Sequence, residues 1–369
     1  MKARKSNIEL LRIICMAIIV LNHYVSRQGI VESYHVFNLN NNIGHIFRCT
    51  GYPALVTFVL ISGYFMAGNG KYKSSRILSL LVQVTAFSLV CLLVGGTVLH
   101  IQLNSGMVIK SIIPYFYGYD AYWFVGPYLG MCLLAPFMDK LINAMNKGEY
   151  TIFLLMSVIL VFVIPTWRPF SMANERNGIL TFVVIYAIAG FIKKFRLEEN
   201  ISKSKLLMII TGFWAISYST YPMGHYLNIE IFNNTVLDMN NIFAVVIGVS
   251  FFLLFLKLSV NTNRFINYIA GSAFGIYLFH DNFILRDWIW GYFVKRELYY
   301  DSSLFVLHCL LVVSALFVIG VVVDILIGYL IKPVLESVKV NEACASLDCR
   351  LNRPLGEETG VSSESARSA

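Results

Sequence analysis

Apolar residues in this chain fall in long blocks separated by short polar connections. Ten blocks approach the roughly 20 residues needed to cross a hydrocarbon core, at 8–26, 46–67, 77–99, 121–138, 151–167, 178–193, 206–222, 241–258, 266–286 and 304–331. The pattern predicts an all-α fold, a polytopic transmembrane helix bundle of about ten spans occupying a membrane domain over 1–332. The fourth, fifth and sixth blocks are short or interrupted by proline and glycine, so their boundaries are the softest. From 333 the chain turns small and polar, ending GlyValSerSerGluSerAlaArgSerAla. That composition predicts a disordered cytoplasmic tail over 333–369.

Composition agrees with this pattern. The 369 residues are 57% hydrophobic and 14% charged, with a mean hydropathy of +0.67; soluble domains carry roughly 25% charged residues. The seven cysteines are scattered and odd in number, which is no disulfide framework, and no metal site is expected. Residues 1–25 imitate a signal peptide, but Glu9 and Arg12 interrupt the apolar stretch and no small-x-small cleavage site follows, so a retained first helix is expected. The net charge of +8 sorts by side of the membrane. With a cytoplasmic N-terminus, 20 basic residues fall inside, among them Lys71, Lys73, Arg76, Lys193, Lys194 and Arg196, and eight fall outside. This positive-inside bias predicts that both termini face the cytoplasm. The basic excess is then a topology signal with some attraction to anionic lipid, and it implies no nucleic-acid partner.

Ionisable groups inside apolar blocks are costly unless they face a partner or a wet cavity. The first block holds Glu9, Arg12, Asn22 and His23. Arg12 and His23 are eleven residues apart, which on a helix leaves an offset of about 20° and a rise of about 16 Å. They share one face, with Met16 and Ile19 between them, and Glu9 can pair with Arg12 three residues on. The competing reading has Arg12 reaching to the inner headgroups and His23 bonded to a neighbouring helix. In GlySerAlaPheGlyIleTyrLeuPheHisAspAsn, residues 271–282, the assigned topology puts His280 and Asp281 in the outer half of the membrane, where they either join His23 at one cavity or cap a helix end. Lys73 and Arg76, in the basic segment after the second block, either grip phosphates of a nucleotide-like donor or anchor the topology. Asp324 reads as a structural partner for another helix. Trp123, Trp288 and Trp290 read as interfacial aromatics. No GxxxxGK[ST] loop, GxSxG elbow or HExxH helix is present, which leaves an ATP-driven pump, a serine hydrolase and a zincin without support.

Taken together, these segments resemble the acyltransferase-3 family of bacterial integral membrane O-acyltransferases. The resemblance covers nearly all of 1–331. It rests on Arg12, ten residues, then His23, with an acid three positions before the arginine; on PheValLeuIleSerGlyTyrPheMet at 58–66; on TyrTrpPheValGlyProTyrLeu at 122–129; and on GlyIleTyrLeuPheHis at 275–280. The family's cytoplasmic Arg-x-x-Arg stands here as Lys73-Ser-Ser-Arg76, a departure at its first position. The resemblance implies transfer of an acyl group, most often acetyl, from cytoplasmic acetyl-CoA or another acyl-CoA. The acceptor would be a hydroxyl of a cell-surface or lipid-linked glycan, such as an exopolysaccharide of the bacterial envelope, at the plasma membrane. The implied roles are catalytic for His23 and Arg12, donor-binding for Lys73 and Arg76, and supporting for Glu9, His280 and Asp281. Acyl-CoA would be a substrate, with no permanently bound cofactor. The competing class is a transporter or flippase for a lipid-linked sugar or solute, which would use intramembrane His, Arg and Asp equally well.

Overall fold

The computed structural model describes residues 6–27, 39–167, 177–227 and 238–352. The described residues are helical, with no strand among them. The helices run α1 (Ser6–Ser26), α2 (Leu39–Met66), α3 (Ser74–Thr97), α4 (Ser105–Ile112), α5 (Val125–Ala144) and α6 (Lys147–Trp167, with a π-helical turn at Ile159–Val163). They continue as α7 (Ile179–Phe195), α8 (Lys203–Leu227), α9 (Ile242–Leu256), α10 (Arg264–Gly271), α11 (Ala273–His280), α12 (Phe305–Leu335) and α13 (Val338–Leu351). Each of the ten apolar blocks falls on this helical framework. Among the described residues six helices, α1, α2, α3, α5, α6 and α12, are long and apolar enough to cross a membrane.

Burial divides these helices into a centre and a wall. In the most apolar window of α2, 72% of residues are buried, against 22% in α3, α6 and α12. The wall helices expose leucines such as Leu93, Leu155 and Leu310, the expected inversion for helices facing lipid tails. α1 packs on α2, α10 and α12, and α2 packs on α7 and α9 as well. α1, which carries Arg12 and His23, is therefore largely withdrawn from lipid, which limits the cost of those groups, while Asp324 on the wall helix α12 turns inward to α3 and α11.

The ninth apolar block is broken at Ser272 between α10 and α11. Beyond the break α11 lies tightly on α12: a Cβ built on Gly275 would sit 2.1 Å from Asp324 Oδ1. Asp324 also accepts a hydrogen bond from Gln83 Nε2 on α3 at 2.9 Å, so it joins three helices. The disordered tail expected over 333–369 is corrected in its first part. α12 runs to Leu335, and α13 docks on the start of α3, where Ser74 N–H donates to Asp348 Oδ1 at 2.7 Å. Asn352 pairs reciprocally with the backbone of Tyr72, accepting from its N–H at 2.7 Å and donating to its carbonyl at 3.2 Å. Residues 353–369 of the expected tail lie outside the described residues.

Candidate active site

Two cavities lie along the shared face of Arg12 and His23. The one at the His23 end, labelled outer after the expected topology, is about 230 Å³ and is lined on α1 by Met16, Ile19, Asn22 and His23. Those positions follow the helical repeat, so one stripe of α1 forms its wall. The inner one, about 300 Å³, is lined by Arg12, Arg76, Gln83 and Tyr128 among others. Phe58 and Phe274 line both cavities. An aromatic stack carries this boundary into the bundle: Phe124 lies 5.5 Å from Tyr128, and Tyr128 lies 6.3 Å from Phe274, centroid to centroid.

At the outer cavity, His23 Nδ1 lies 3.0 Å from His280 Nε2. Residues 257 positions apart thus meet ring to ring. The protons in this pair follow from a third group. His280 Nδ1 lies 2.6 Å from the Ile276 carbonyl oxygen, which can only accept, so His280 carries its proton on Nδ1 and presents a bare Nε2. That nitrogen accepts from His23 Nδ1–H, and when the His23 ring is neutral its Nε2 is then without a proton. Asp281 Oδ1 is 4.0 Å from His23 Nδ1 and forms an ion pair with Arg27. The side chain of Asp281 is 1% exposed and that of His23 is 12% exposed, so the imidazole is the member of the group that the cavity can reach. The Trp290 indole N–H donates to the His280 carbonyl at 3.2 Å. Asn282 donates to Tyr122 Oη at 2.6 Å, and Tyr122 in turn donates to the Leu278 carbonyl at 2.8 Å. The end of α11 is locked on several sides.

The inner cavity is built differently. Arg12 pairs with Glu9 at 2.8 Å on α1, the i, i+3 contact expected from spacing. Arg76 comes from the first turn of α3 and shows no carboxylate partner among the described residues. A small cleft next to it holds Lys71, Lys73 and Arg76 together with Asp139 and Tyr186. Asp139 is buried and accepts from Gly68 N–H at 2.9 Å, Gly70 N–H at 2.7 Å and Tyr186 Oη–H at 2.7 Å. Gly68 and Gly70 have φ of 84° and 59°, a left-handed conformation that favours glycine. Their amides therefore turn inward to one carboxylate, which fixes the loop leading to Lys73.

The family model for the acyltransferase domain of acyltransferase-3 proteins matches residues 5–329. The chain belongs to that family. No curated protein and no solved structure matches it. Membership implies acyltransferase activity in general terms, and it supports an enzyme over the transporter or flippase reading. The match covers every residue singled out from the sequence: His23, His280 and Asp281 meet at the outer cavity, and Arg12 with Glu9 and Arg76 meet at the inner one. Lys73 is exposed and lines only the neighbouring cleft.

One aromatic assignment changes. Trp290 is 2% exposed and braces His280, so it is no interfacial anchor. Trp123 lines the outer cavity. Asp139 is the member of the acyltransferase framework that sequence reasoning missed. Its signal was an acid inside an apolar helix, masked by the adjacent Lys140 at a helix end.

Proposed function

We propose that this acyltransferase moves an acyl group, most simply acetyl, from cytoplasmic acyl-CoA to a hydroxyl of a glycan on the outer side of a bacterial plasma membrane. On this reading all ten apolar blocks are spans, and both termini are cytoplasmic. The carrying observation is the His23–His280 contact at one of two cavities that share Phe58 and Phe274 as walls, the other being lined by Arg12 and Arg76.

The chemistry follows from the atoms. Arg76 and Lys73 at the inner mouth hold the donor's phosphates, arginine by paired contacts and lysine as a point charge. Arg12, deeper on the same side, meets the donor inside the bundle. The thioester carbonyl reaches the aromatic boundary at Phe58 and Phe274. His23 Nε2 takes the proton of the acceptor hydroxyl as its oxygen attacks the thioester carbon. The new C–O bond forms, the C–S bond breaks, and the proton on His23 passes to the departing thiolate. While His23 is protonated, its Nδ1–H donates to His280 Nε2, and Asp281 offsets the charge.

His23→Gln tests the proposal, because it keeps a hydrogen-bonding side chain and cannot take a proton. Reconstituted wild-type protein should release free thiol from acetyl-CoA in step with ester formation. The Gln variant, inserted normally, should lose transfer by about 10²- to 10⁴-fold, the range for a general base. Transfer near the wild-type rate would reduce His23 to positioning the acceptor and overturn its catalytic role.

A further inference from the structure

The outer cavity carries more positive charge than the acyl-transfer reading uses. Two arginines, Arg27 and Arg48, line it beside His23. Arg27 is paired with Asp281. Arg48 has no carboxylate partner among the described residues. Its Nε is buried with no hydrogen-bond partner. A guanidinium keeps its charge at any physiological pH, and a buried donor left unsatisfied is costly. A second orphan stands in the same wall: Asn22 Oδ1, on the residue before His23, is buried and accepts nothing. Gly51 on α2 lets this side chain in, because a Cβ there would lie 2.4 Å from Asn22 Cγ. The wall therefore offers a fixed cation and a free acceptor beside the imidazole, the complement of an anion that also bears hydroxyl groups. An arginine serving only as a headgroup anchor would point its charge away from the cavity.

We infer that the acceptor is anionic: a carboxylate or phosphate on the saccharide binds Arg48, while a neighbouring hydroxyl donates to Asn22 Oδ1. This rests on the proposed function and specifies the acceptor class of the same site. The two sources of such an anion are an acidic sugar and the phosphate of a lipid-linked saccharide.

The test uses the full-length protein in lipid nanodiscs and three probes: a glucuronate-terminated disaccharide, the matching glucose disaccharide, and glucose 1-phosphate. The wild type should bind at least one charged probe about 10- to 100-fold more tightly than the neutral one, the range for a hydrogen bond to a charged group. The preference should shrink in high salt, as expected for a partly exposed charge pair. Arg48→Gln should abolish the preference, and Arg48→Lys should retain part of it. Preference for glucuronate alone identifies the acidic sugar as the source, and preference for the phosphate alone identifies the lipid-linked one. Equal binding of charged and neutral probes, no binding of either charged probe, or a preference that survives Arg48→Gln in folded protein overturns the inference. Thiol release from acetyl-CoA is read separately in the same samples. Charged probes that bind without any thiol release under turnover conditions would leave the anion site standing and remove the acyltransferase reading.

Discussion

The two cavities differ in how their polar groups are held. At the outer one, His23, His280, Asp281 and Arg27 are bound to one another, and the chain around them is locked by Trp290, Asn282 and Tyr122. At the inner one, Arg76 stands exposed on the first turn of α3, and Lys73 stands exposed at the neighbouring cleft, on a segment held from behind by Asp139 and by Asp348 of α13. Proton transfer requires atoms fixed within hydrogen-bond reach, whereas a polyphosphate can be gathered by mobile cations and needs mainly charge. The difference in construction suits the two tasks proposed for these sites, and it predicts different responses to mutation.

The largest effect after loss of His23 itself should come from His280. His280→Phe keeps an aromatic ring but removes the acceptor that fixes the His23 tautomer. Turnover should fall by about 10²-fold with the donor KM near its wild-type value, since a wrong tautomer cannot serve as base. Combined with His23→Gln it should add little, as expected for residues acting as a unit. A full additional loss in the double variant would show that the two imidazoles act separately.

Arg76→Ala should act on the other parameter. The donor KM should rise by about 10-fold, the lower range for a lost charge-assisted hydrogen bond, with kcat little changed. An unchanged KM in properly inserted protein would make Arg76 a topology anchor only. Raising ionic strength should reproduce this signature in the wild type, because exposed charges are screened and the buried imidazole pair is not.

Asp348→Ala should have the smallest effect. It removes the acceptor of two Ser74 hydrogen bonds, from N–H and Oγ–H, on the far side of the loop from the donor, so the donor KM should rise by less than about fivefold, only part of the lost bonding reaching Arg76. No change in KM, measured beside Arg76→Ala, would separate the docked helix α13 from donor binding.

Much of this contrast was legible along the chain. Helical spacing alone put Arg12 and His23 on one face, and the structure places Met16 and Ile19 between them in the cavity wall. Topology placed His280 at the depth of His23, but nothing in the sequence registers α11 against α1, so the contact itself needed the packed bundle. Asp139 was illegible because its partners are mainly backbone amides of Gly68 and Gly70, which leave no side-chain signature. The helix at Val338–Leu351 was missed because its composition is polar; docking on α3 through Asp348 and the nearly buried Cys344 supplies the tertiary support that short helices lack in isolation.

The central claim is that the chain esterifies a glycan it does not transport. Mass analysis of surface glycan from cells lacking this protein, complemented with either wild type or His23→Gln, tests it most directly. Ester-linked acyl groups should be absent without the protein, restored by the wild type and absent with the Gln variant, while the amount of exported glycan stays the same throughout. Glycan export that fails without the protein, or esters that persist without it, would contradict the account.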